Sequence, residues 1–128
     1  MPMRVYWPIS LTDLKSLESG ASLDVAGRTG VAATEGFAAT LETADQDELD
    51  LMAALAASDI ADGLHPVAVT ESTASVVDDE LGEVQLSGTV ALADIECLMI
   101  ADVDSQELSW FGIQEIAELE AAQSAKGK

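Results

Sequence analysis

Apart from carboxylates, few side chains in this sequence could do chemistry. Cys97 is the only cysteine and His65 the only histidine. A cysteine nucleophile needs a nearby group that favours the thiolate. None accompanies Cys97, which sits in Ile95-Glu96-Cys97-Leu98-Met99-Ile100 as a small thiol suited to burial. His65 follows a helical stretch that stops at Gly63. There it can bond terminal carbonyls or balance the helix dipole. As a general base it would need a positioned nucleophile, and no nucleophile-elbow serine accompanies it.

The carboxylates number 24, too many for any pair to stand out as an acid–base couple. Asp102-Val103-Asp104-Ser105-Gln106-Glu107 opens like a calcium loop. That motif requires glycine at its sixth position and glutamate at its twelfth. Glu107 and Ile113 stand there instead, so a turn after a strand explains the segment better. Asp78, Asp79, Glu80 and Glu83 could gather a hard cation, but any acidic loop can do so weakly, and a solvated loop accounts for them better. Gly27-Arg28-Thr29-Gly30 matches neither a phosphate loop nor a dinucleotide fingerprint. No catalytic, cofactor-binding or metal residue is assigned on these grounds, and no cofactor is expected.

Composition narrows the partners. The 128 residues suit one domain, expected over 1–122 with a flexible tail at 123–128. The 24 carboxylates face five Lys and Arg, a net charge of −19, and Lys126 and Lys128 lie at the very end. Such a field repels phosphate backbones and anionic lipid, so direct nucleic-acid binding and membrane association are not expected. It favours solubility and would attract a basic protein partner. It also suits a high-salt cytoplasm. With one cysteine no intramolecular disulfide forms. The N-terminus does not read as a signal peptide, and the longest apolar run, Leu51 to Ala57, is far short of the roughly 18 residues a membrane span needs. A cytoplasmic location is expected; the oligomeric state is left open.

The elements that must position these groups can be read from periodicity. Met3 to Trp7 reads as a strand closed by Pro8. Ser10 caps a helix carrying Leu11, Leu14 and Leu17 and ending at Gly20. Ser22 to Gly30 reads as a loop, Val31 to Thr34 as a brief strand and Phe37 to Leu41 as a helical turn. Asp45 caps a helix to about Asp62, with Asp47, Glu48 and Asp50 near its positive end. Its apolar stripe is expected at Leu49, Met52, Ala53, Ala56 and Ile60, with Ser58 on the wet side. Val67 to Thr70 reads as a buried strand and Glu71 to Gly82 as a polar loop. Val84 to Val90 suggests a strand broken at Gly88; Ile95 to Val103 and Leu108 to Gly112 follow as strands, and a helix spans about Gln114 to Ala122. The aromatic doublets Tyr6-Trp7 and Trp110-Phe111 are expected to bring the first and last strands near each other.

Met3-Arg4-Val5-Tyr6, Asp47-Glu48-Leu49, Leu92-Ala93-Asp94-Ile95, and Leu108-Ser109-Trp110-Phe111 with Gln114-Glu115-Ile116 together resemble a family of small uncharacterised actinobacterial proteins, a domain of unknown function. The resemblance implies a bacterial cytoplasmic setting and places the family's start at Met3. It carries no activity, cofactor or site residue onto this chain.

The expected fold is α+β, a single domain with a mixed sheet of about five strands and packed helices, a three-layer α/β arrangement being the alternative. The leading function is a non-enzymatic interaction module with an acidic surface. The alternatives are a small enzyme built from scattered carboxylates or His65, and an acidic mimic of DNA.

Overall fold

The computed structural model describes residues 2–41, 45–60, 66–102, 107–112, 115 and 118. The chain opens with strand β1 (Pro2–Pro8) and helix α1 (Leu11–Glu18). Short strands β2 (Leu23–Asp24) and β3 (Thr29–Val31) lead to helices α2 (Glu35–Leu41) and α3 (Gln46–Ile60). Strands β4 (Val67–Asp78), β5 (Glu83–Leu86) and β6 (Thr89–Val90) precede one 3₁₀ turn at Leu92–Asp94. Strands β7 (Ile95–Asp102) and β8 (Glu107–Phe111) follow.

The six-stranded sheet runs β1-β3-β5-β4-β7-β8, and β1 also pairs β4. Four strands therefore close on themselves: β1 to β3 at Tyr6↔Val31, β3 to β5, β5 to the far half of β4, and the near half of β4 back to β1. Strands β7 and β8 extend the sheet outward from β4. The domain is α+β, and the mixed pairing expected from the sequence sharpens to an antiparallel one in every described pair. The layered α/β alternative needs parallel strands and drops out.

Alternate side chains on a strand face opposite ways, and each face here has its own core. Val5, Trp7, Ala68, Val84, Leu86 and Leu98 pack with Ile9, Leu14 and Leu17, so α1 closes one face. Tyr6, Val67, Val69 and Met99 pack under Ala53, Ala54 and Ala57 of α3 and Phe37 of α2. The buried side of α3 is rotated from the expected stripe. Ser58 is 1% exposed and Ile60 44% exposed, the reverse of the sequence reading. Alanines and a serine let the helix lie close on the sheet, and shape outranks hydrophobicity there.

Two loop readings are also corrected. Within Glu71 to Gly82 only Asp79 to Gly82 is a turn: β4 continues to Asp78, and most of its outer half is exposed to solvent. Ser22 to Gly30 contains β2 and the start of β3. The first and last strands are not neighbours, since β4 and β7 lie between them. Phe111 nevertheless packs against the core that holds Trp7. The helix expected over Gln114 to Ala122 and the tail at 123–128 lie mostly or wholly outside the described residues.

Candidate functional site

The β4–β5 hairpin gathers the most exposed large apolar side chains among the described residues. Val76, Val77 and Leu81 are 48, 59 and 61% exposed. A bulge at Val77 shifts the register between Val76↔Val84 and Asp78↔Glu83. An inserted residue there breaks the alternation that would turn successive side chains to opposite faces. The turn is built by its own acid: Asp78 Oδ1 accepts from the N–H groups of Glu80 at 3.1 Å and Leu81 at 3.2 Å. Gly82 then adopts φ +68°, and a side chain there would collide with the Ala32 carbonyl and the Phe37 ring.

The turn is held from behind by the start of α2. The Thr34 hydroxyl donates to the Asp79 carbonyl at 2.6 Å and accepts from the Phe37 N–H at 3.2 Å. Ala32 N–H donates to the Gly82 carbonyl at 2.9 Å. The hairpin tip is thus a fixed platform, with Val76, Val77 and Leu81 set among Asp78, Asp79, Glu80 and Glu83.

The cations of the domain body are placed elsewhere. Arg4 pairs with Glu96 at 3.2 Å and stacks 5.6 Å from the Tyr6 ring centre. Arg28 reaches both oxygens of Asp13, at 2.9 and 3.4 Å, and lies 5.9 Å from the Trp7 ring centre. Burial alone would raise the Asp13 carboxyl, but hydrogen bonds from Arg28 and Ser10 outweigh it and hold it below the ordinary carboxylate range.

A concavity of about 300 Å³ lies open to solvent, lined by Glu71, Thr73, Ser87, Thr89, Val90 and Asp94. Its polar groups are partly engaged. Ser87 Oγ donates to the Thr73 carbonyl at 3.1 Å, and Asp94 Oδ2 accepts from the Ala91 N–H at 2.9 Å. Among the described residues that line it, the ionisable groups are the carboxylates Glu71 and Asp94.

The residues singled out from the sequence are dispersed. Cys97 is half-buried against the Tyr6 core and pairs with Val69 in the ladder. Asp102 and Glu107 are paired between β7 and β8, and 103–106 of the calcium-like segment lie outside the described residues. His65 also lies outside them. Among the described residues, no three His, Cys, Asp or Glu side chains converge as a metal site would require. The apolar members of the hairpin tip were missed; the pairing of Val76-Val77 with the acid run was the available signal.

Residues 3–100 match the model of a family described as a family of unknown function (DUF6912). The chain belongs to this family. The match begins at Met3, where the resemblance placed the family's start, and it takes in the whole β4–β5 hairpin of the DUF6912 domain. No curated protein and no solved structure matches the chain. No helix among the described residues is long and apolar enough to cross a membrane.

Proposed function

We propose that this DUF6912 domain is a non-enzymatic interaction module that binds a basic protein partner through its acidic surface. One observation carries the reading: an exposed apolar trio, Val76, Val77 and Leu81, stands on a fixed turn ringed by acids. An apolar centre with a polar rim is the usual anatomy of a protein-binding patch. The rim and the net charge of −19 select for a basic partner and against nucleic acid.

The test is capture from host lysate at low and moderate salt, comparing the wild type with a Val77→Ser/Leu81→Ser variant. The reading expects a partner retained by the wild type at low salt, weakened by added salt and lost by the variant. Equal capture by both proteins, or none, counts against it. The competing class, a small enzyme, would use the open cleft. Replacing Glu71 and Asp94 by Gln and Asn leaves partner capture intact under the present reading.

A further inference from the structure

We infer that the edge of β4 from Ala74 to Asp78 accepts an extended basic segment of a partner protein as an added strand. The inference rests on the interaction-module reading and gives it a binding mode.

The backbone directions along β4 fix which groups face that edge. In an antiparallel ladder, alternate residues turn their N–H and C=O to opposite neighbours. Ile9 N–H donates to the Pro66 carbonyl at 2.9 Å, continuing the β1 ladder, so even-numbered residues of β4 face β1. Ser87 N–H donates to the Thr73 carbonyl at 3.1 Å from the opposite side, so odd-numbered residues face β5. Strand β1 begins opposite Thr73, at Pro2↔Thr73. Beyond that point Ala74 and Val76 turn their backbone groups to an edge on which no described strand pairs. Solvent reaches it, as the exposure of Ser75, Val76, Val77 and Asp78 shows. Five residues give roughly 17 Å of template at about 3.4 Å per residue.

Charge decides the occupant. A bare strand edge invites pairing with a second copy of itself, and natural sheets blunt such edges with charge and bulges. Here two copies would each carry a net charge of −19 and repel one another, and the edge itself ends in Asp78-Asp79-Glu80. A strand bearing Lys or Arg at alternate positions meets those acids favourably. Its intervening apolar residues cover Val76 and Val77, as in other cases of strand addition.

The test uses the full chain and an alternating Lys-Val decapeptide at about 20 mM salt, with amide hydrogen exchange read residue by residue. Strand addition slows exchange of the Ala74 and Val76 amides at least tenfold and leaves Ser75, already turned to β5, unchanged. The same peptide methylated on every backbone nitrogen keeps its charge but loses its donors, and it must bind at least tenfold more weakly. If the unmethylated peptide binds without protecting Ala74 and Val76, or both peptides bind alike, strand addition is overturned while the interaction module stands. If the unmethylated peptide does not bind at all, strand addition is overturned too, and lysate capture alone decides the broader reading.

Discussion

Arg28 grips the carboxylate of Asp13 by two contacts, 2.9 and 3.4 Å, while the same carboxylate caps α1 by accepting from the Ser10 N–H at 3.2 Å. One side chain thus starts the helix and ties it to the β3 end of the closed sheet. Because the folded state holds Asp13 below its ordinary value of 3.8, it contributes stability above that value. The contribution fades as pH falls through the lower folded value. Asp13→Ala removes cap and ion pair together and should cost about 1–2 kcal/mol near neutral pH. Urea unfolding at pH 7 and pH 3 checks it: the difference between wild type and variant must shrink at the acid end.

Trp7 makes a second buried bond that can be isolated. Its indole N–H donates to Thr70 Oγ1 at 3.0 Å, and both residues are fully buried. Thr70→Val keeps the shape but strands a buried donor, for an expected loss of about 1–3 kcal/mol. Thr70→Ser keeps the acceptor and should lose the smaller part. Denaturant midpoints followed by tryptophan fluorescence separate the two; equal losses would mean that the methyl, not the hydroxyl, matters.

How far the fold was legible follows from where each signal was local. The Ser10 capping box, the Gly88 break with φ +85°, and the buried runs of β4 and β7 announce themselves within a few residues. The outer half of β4 did not, because Glu71 to Ser75 reads as loop by composition and becomes strand only through pairing with β1 and β5. The facing side of α3 was misread for a related reason: a helix seated on a sheet selects small residues, which periodicity in hydrophobicity does not report. The acids of the hairpin tip were visible in the sequence. Val76 and Val77 stood beside them, but their joint exposure was not legible, since a bulge decides it.

Ring closure depends on one close approach. A Cβ on Gly30 would sit 2.6 Å from Val5 Cγ1 and 3.0 Å from the Tyr6 carbonyl, beside the Tyr6↔Val31 pair that joins β3 to β1. Gly30→Ala therefore forces β3 away from β1 and should cost roughly 2 kcal/mol or more, as overpacking does. Gly27, with φ +84° and open space around it, supplies the contrast: its alanine variant meets backbone strain alone, about 1 kcal/mol. Thermal unfolding of the pair ranks them, and a milder effect at Gly30 would refute the closure argument.

Ser58 offers the opposite sign. Its hydroxyl is buried between α3 and the sheet with no hydrogen-bond partner among the described residues. Removing an unsatisfied polar atom recovers its desolvation cost, so Ser58→Ala should be neutral or stabilise by up to about 1 kcal/mol. A loss beyond about 1 kcal/mol in chemical denaturation would show that the hydroxyl has a partner.

Salt should act in opposite directions on stability and on binding. With 24 carboxylates against five Lys and Arg, repulsion within the folded chain outweighs what its exposed ion pairs return. The Arg4–Glu96 pair, about half exposed, contributes at most about 1 kcal/mol. Raising KCl from about 0.02 to 0.5 M shortens the screening length from roughly 20 to 4 Å and relieves the repulsion. The melting temperature is therefore expected to rise by about 5 °C or more, equivalent to about 1 kcal/mol or somewhat above for a domain of this size. The same screening weakens attraction between the acidic hairpin and a basic peptide. Glu80→Lys separates the two effects: it should weaken peptide binding severalfold while leaving the salt-induced rise in melting temperature nearly intact, because it changes the charge at the tip far more than the charge of the whole. Parallel calorimetry and peptide titration across the salt series check both. A melting temperature that falls with salt would mean that attraction dominates, and an unchanged peptide affinity in the variant would move the basic partner off this hairpin.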